Sequence, residues 1–355
     1  MRLKTIIYLL LIMALSIIML SNEAFCIEGM SYEFIFSKPS INYKKSITSL
    51  SYNANTIAVG SIDGNVKLYE FESKKEIKAI IRNSHPVTSI TFSPNGNIIA
   101  VGLEPGDIIL WDANYKERIK TFKGHKSRVN SIKFNKDGSF LVSASDDRLI
   151  KIWDMKSGGE LRTLSGHTDA VNSIDISEDG KIVVSGSKDG YVKTWDTSSG
   201  NRLLNINADS ASINSVSISL DGVMIASGST SGLIKIWDVN SGEEKITLPS
   251  QKASITADKG LQFSPDSNIL ASGQQNGSIV IWDLSSGEII SELKQHKGKI
   301  NAILITSDGK NLLSTGDDGN INFWRIRVTE ILNIALKADY DNWQRGILSL
   351  EADVV

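Results

Sequence analysis

The chain has 355 residues, 38 basic and 40 acidic side chains for a formal charge of −2, one cysteine and four histidines. That balance leaves no basic surplus of the kind nucleic-acid binding requires, and a single cysteine cannot build a disulfide framework. Gly-rich phosphate loops, HExxH, CxxC and calcium-loop patterns are absent too, so no cofactor or metal is expected.

At the N-terminus, Arg2 and Lys4 precede an apolar run over 6–20, followed by Ser21-Asn22-Glu23 and Ala24-Phe25-Cys26. A charged start, a short apolar stretch and a small-residue end predict a signal peptide over 1–26, cut after Cys26 or Ala24. The run is shorter than the about 20 residues a membrane span needs. The competing readings are an uncleaved membrane anchor, a lipidated Cys26 and a start at Met30. Export of a mature chain without cysteine points to a bacterial envelope protein, periplasmic or extracellular.

From residue 30 onward an aromatic ladder sets the organisation. Tyr69, Trp111, Trp153, Trp195, Trp237, Trp282 and Trp324 are spaced by 42 residues, except for one step of 45 before Trp282. Residues 142–154, 184–196 and 226–238 read VSASDDRLIKIWD, VSGSKDGYVKTWD and ASGSTSGLIKIWD, each a strand, a tight turn and a period-two strand. A strand upstream (129–134, 171–176) ends in a Lys-Asp-Gly or Glu-Asp-Gly turn, and another follows downstream (161–164). Trp-Asp itself stands at 111–112, 153–154, 195–196, 237–238 and 282–283.

Four antiparallel strands per repeat, with Trp-Asp ending the third, resemble the WD-repeat β-propeller family. The resemblance implies an all-β fold over 30–328, a seven-bladed propeller of four-stranded antiparallel blades. Tyr69-Glu70 and Trp324-Arg325 depart from the motif, as end repeats tend to. Radial sheets must close into a ring or leave open edges. The strand at 32–36 is expected to complete the Trp324 blade, in preference to 330–336, and the extra residues before Trp282 to fall in the loop 249–259.

A second register lies beneath the first. His125, Ser143 and Asp147 precede Trp153 by 28, 10 and 6 residues; His167, Ser185 and Asp189 stand likewise before Trp195, and His296, Ser314 and Asp318 before Trp324. A hydrogen-bonded Asp-His-Ser-Trp chain satisfies every buried polar group in the set and resembles the family's structural tetrad. The same residue types form hydrolase triads. Recurrence at the period of the fold argues for structure, and no catalytic residue is expected.

The other blades are incomplete. Trp111 has Val101 and Pro105 at the serine and aspartate places, with His85 nearby; Trp237 has Asp209, Ser227 and Ser231; Trp282 has Ser272 and Asn276; Tyr69 keeps only Asp63. Blades with full tetrads should be stiffest and the Trp282 blade loosest. Lys151, Lys193 and Lys235, two residues before tryptophan, read as solvent-facing. Beyond the ladder, Leu332, Leu336, Tyr340, Trp343, Ile347 and Leu350 form a helical stripe. It predicts a C-terminal helical extension over 329–355 that packs on the propeller, or alternatively docks a partner.

The resemblance also implies a partner-binding face, made by the loops entering each first strand and the turns between second and third strands. By register it carries Asn130, Asn172, Asn214, Lys259 and Asn301 at one place, Arg128 and Lys299 two residues earlier, and Asp146, Lys188 and Asp317 at the turns. The asparagines either ring a channel mouth, offering amides to a peptide or carbohydrate, or bond local backbone. The reading is a noncatalytic protein-protein interaction scaffold, a monomeric propeller within a complex. It has no nucleic-acid partner and no membrane span in the mature chain. A carbohydrate or small-ligand binder is the alternative, and an enzyme comes third.

Overall fold

The computed structural model describes residues 30–330 except 115–116, 250–252 and 257. Its 28 strands form seven four-stranded antiparallel sheets. Phe34–Ile326 makes one unit, the propeller; a second unit holds 30–33 and 327–330 among its described residues, with Arg327 Nη1 3.6 Å from Glu33 Oε2.

The blade of Trp153 typifies the others. Val129–Phe134, Phe140–Ser145, Ile150–Asp154 and Glu160–Leu164 pair in that order. Asp137 accepts from the Ser139 backbone N–H at 2.7 Å, and Gly138 takes the left-handed φ (+73°) that the first turn needs. The second strand is buried from Leu141 to Ser145, because it lies between neighbouring strands and between neighbouring blades.

The first strands surround the axis. Ile47–Asn53, Val87–Phe92, Val129–Phe134, Val171–Ile176, Ile213–Ile218, Leu261–Phe263 and Ile300–Ile305 are neighbours in that order, and the last packs against the first. The core lies between blades. Val142, Ile150 and Leu164 of one blade pack with Val171, Val183 and Trp195 of the next, and Ile47, Ile57 and Tyr69 pack with Leu313, Ile321 and Phe323 across the seam. No blade buries its apolar faces alone, which is why the repeat must close. Close approach of loops completes the fit: a side chain at Gly190 (φ +85°) would meet the Asp209 carbonyl oxygen of the next blade at 2.2 Å.

The closing blade combines both ends of the ring. Met30–Asn42 pairs with Asn320–Glu330, outside Asn311–Gly316 and Ile300–Ile305, and the Phe36 ring lies 5.7 Å from that of Trp324. The N-terminal strand therefore supplies the outer edge, longer than the 32–36 read from the sequence.

The extra residues of the 45-residue step do not lengthen an outer loop. Ile255 bridges Gln274 as Ile213 pairs with Ser229, and Leu261 pairs with Ser272 as Val216 pairs with Ser227. Three positions separate Ile213 from Val216, but six separate Ile255 from Leu261. The insertion thus interrupts an innermost strand, where it can only project into the bore. The proposed leader over 1–26 and the stripe from Leu332 to Leu350 lie outside the described residues. No helix among the described residues is long and apolar enough to cross a membrane.

Candidate interaction site and axial bore

In two blades one hydroxyl joins two rings, and in a third the serine, imidazole and carboxylate part of the chain recurs. Trp153 Nε1 donates to Ser143 Oγ (2.8 Å), which lies 2.7 Å from His125 Nε2, and His125 Nδ1 lies 2.9 Å from Asp147 Oδ2. The corresponding distances are 2.9, 2.8 and 2.9 Å through Trp195, Ser185, His167 and Asp189. His296 reaches Ser314 at 2.6 Å and Asp318 at 2.9 Å beside Trp324. With indole N–H donating to serine, serine to imidazole and imidazole to carboxylate, every proton in the Trp195 blade is used. Burial lowers the His167 pKa. Burial alone would raise Asp147, but hydrogen bonds from His125 and the Lys126 and Leu149 amides overcome it and bring its pKa down to about 2.

These are the distances of a hydrolytic triad, yet Ser143, Ser185 and Ser314 have no exposed surface. Where the indole bond to serine is made, the hydroxyl oxygen already accepts a proton and no acyl carbon can reach it. The arrangement can hold a blade rigid and little else.

The incomplete blades improvise. Trp237 donates to Ser227 (2.8 Å), while Asp209 takes the histidine's place and accepts from Ser229 and Ser231, both at 2.6 Å. Trp282 reaches Ser272 at 2.9 Å. His85 is exposed and pairs with Ser84 at 2.9 Å; with Val101 at the serine place, Trp111 Nε1 is buried without a partner among the described residues. Beside Tyr69, the hydroxyl of Tyr43 bonds Asp63 (3.2 Å), and burial followed by that carboxylate pushes the phenol up to about 12. Tyr43 escaped the sequence reading because it stands two places off the histidine register.

Lys151 and Lys193 correct an expectation. Both are buried, since the fourth strand of the blade covers them; Lys151 bonds Glu160 (2.7 Å) and Thr163 (2.8 Å), and Lys193 bonds Asn205. Lys235, half-buried, pairs with Glu244 at 2.7 Å.

The asparagine register is a set of stitches between blades. Each of these residues occupies the bulge at the start of a first strand, which turns its side chain toward the next blade. Asn130 donates to Val171 O (2.9 Å), Asn172 to Ile213 O (2.9 Å), Asn214 to Ile255 O (2.9 Å) and Asn301 to Ile47 O (2.8 Å). Thr48 does the same to Val87 O (2.6 Å), and Thr88 to Val129 O. Asp146 accepts from Asn130, and Asp317 from Asn301 and Ser46. Arg128, Lys188 and Lys299 make no side-chain hydrogen bond or ion pair with a described residue; Arg128 and Lys188 are exposed and Lys299 half-buried.

Lys259 does not share that face, because Thr256 is the residue next to the bridging Ile255, as Asn214 is next to Ile213. Lys259 lies in the bore, where its ammonium donates to Leu50 O (2.6 Å) and Ile90 O (2.7 Å). Beside it a cavity of about 540 Å³ opens between the far ends of the first strands, lined by the Lys133–Asp175 ion pair (2.9 Å) and by Asp258 and Lys259. Burial lowers Lys259 to about 8 against the pull of Asp258, and raises Asp258. Among the described residues no three His, Cys, Asp or Glu side chains are grouped to hold a metal.

Three family models match the chain: IFT122 first beta-propeller over 86–258, Vps8 beta-propeller over 210–332, and WD domain, G-beta repeat over 38–70. No curated protein matches it. With the ladder of repeats, the seven four-stranded blades and these three matches together spanning nearly the whole ring, the chain belongs to the WD-repeat β-propeller family.

Proposed function

We propose that the protein is a noncatalytic scaffold that captures a protein or peptide on the face bearing Arg128 and Lys188. One observation carries the reading: these cations are exposed and unpaired among described residues, while the asparagine amides beside them are spent on neighbouring backbone. Uncompensated charge at a rim steers a partner and fixes its register. The same commitment of the amides weighs against a carbohydrate at an asparagine ring. The leader over 1–26 supports placing the scaffold in a bacterial cell envelope, exported to the periplasm or beyond, or held at the membrane if uncleaved.

A photo-crosslinking residue at 128 or 188 should trap one partner in the native envelope fraction, and the same residue at Asp221, on the opposite face, should not. Arg128→Glu or Lys188→Glu should abolish capture with the melting temperature unchanged. Crosslinks only at 221 would move the interface to the other face.

A further inference from the structure

We propose that Asp258 and Lys259 form an axial lock, a pin projected by one blade that ties five of the other six together across the bore. The motivating observation is the number of blades that two residues reach. The Asp258 N–H donates to Asn214 O (3.0 Å), and its carbonyl accepts from Ser173 Oγ (3.1 Å) and Ser215 Oγ. Its carboxylate accepts from Ser89 Oγ (3.2 Å). The Lys259 ammonium holds Leu50 O and Ile90 O, and its carbonyl accepts from Ile303 N (3.0 Å). Bonds therefore run to the blades of Tyr69, Trp111, Trp195, Trp237 and Trp324.

The pin fits because it completes a pattern already present. Around the bore each serine accepts from an amide of the next blade: Ser49 from Ile90, Ser89 from Ile132, Ser131 from Ile174, Ser173 from Val216 and Ser215 from Leu261. Each hydroxyl then has one proton left to give, with only the bore to give it to. The Trp282 blade carries Gly260 where its neighbour carries Ser215, so it has no hydroxyl for Ile303 N; the Lys259 carbonyl takes that place. Asp258 accepts the protons of three of the serines. Its left-handed φ of +50°, tolerated by Asp better than by most residues, folds the insertion inward.

The pin also borders the cavity at the far ends of the first strands. A blade with no histidine in its tetrad thus anchors five others.

Hydrogen exchange by mass spectrometry on the full-length chain tests this with Lys259→Met, which keeps the stem and removes the ammonium, and with deletion of 257–259, which restores the 42-residue period. A lock predicts faster exchange, roughly threefold or more, in Ile47–Asn53 and Val87–Phe92 of Lys259→Met, with a fall in melting temperature of roughly 2–4 °C per broken contact equivalent to about 1 kcal/mol. The deletion should extend the faster exchange to Val171–Ile176, Ile213–Ile218 and Ile300–Ile305. Changes confined to 253–264 in Lys259→Met, with an unaltered melting temperature, would overturn the proposal whether or not the deletion variant folds.

Discussion

Val101 stands where the complete blades place serine, and the indole N–H of Trp111, ten residues on, is buried with no acceptor among the described residues. An orphaned buried donor costs about 1–3 kcal/mol, so this blade carries a defect that one hydroxyl can repair. Val101→Thr keeps the shape of the side chain and supplies an acceptor. It should stabilise the ring by about 1 kcal/mol, read as a rise of about 2–4 °C in melting temperature. A fall would mean that the hydroxyl turns away from Trp111.

The tetrads yield a ranking. Ser185→Ala strips both Trp195 Nε1 and His167 Nε2 of their partner, whereas Ser272→Ala strips only Trp282 Nε1. Denaturant titration should find the first variant about 2–4 kcal/mol less stable than wild type and the second about 1–2. Equal losses would show that the imidazole bond adds nothing.

The architecture was readable because its signals repeat. Seven aromatics at one period, and serine, histidine and aspartate at fixed offsets, carry the same information several times over. Residues that occur once escaped. Tyr43 substitutes for a histidine from two positions away, and Lys259 was placed by counting back from Trp282, which slides through an insertion without detecting it. Burial of Lys151 and Lys193 escaped for another reason. Their strand alternates as an exposed strand would, and only the covering fourth strand, with Glu160, Thr163 and Asn205 on it, gives a lysine reason to lie inside. The partner face is the least legible part, since nothing in the repeat requires a particular residue there.

The stitches make a sharper test of the asparagine register than composition does. Asn172 and Thr48 perform the same task, each donating to a carbonyl of the next blade at 2.9 and 2.6 Å. Asn172→Thr should therefore change stability by no more than about 0.5 kcal/mol, while Asn172→Ala should cost about 1–2 because Ile213 O loses a buried donor. Thermal melts of the two variants suffice. If Thr proves as harmful as Ala, the bulge geometry differs between the blades and the stitch is not interchangeable.

Acid should undo the ring in two stages. His167 is held neutral, with its pKa below the ordinary histidine value, so the unfolded chain binds that proton more readily and unfolding takes it up. Its contribution is complete above about pH 6.5, the unfolded value, and declines as the pH falls below it. Asp147, depressed to about 2, and Asp189 and Asp318, depressed also, behave the same way lower on the scale: their contribution is complete above about pH 4 and is lost toward pH 2. For Asp147 the loss is on the order of 2 kcal/mol, from roughly 1.4 kcal/mol per unit of depression. Denaturant midpoints measured at pH 7.5, 5.5, 4 and 3 should fall monotonically. Asp147→Asn should be less stable than wild type at pH 7.5, and the gap should narrow by pH 3. A gap that stays constant over that range would mean that the Asp147 carboxylate is not what acid removes.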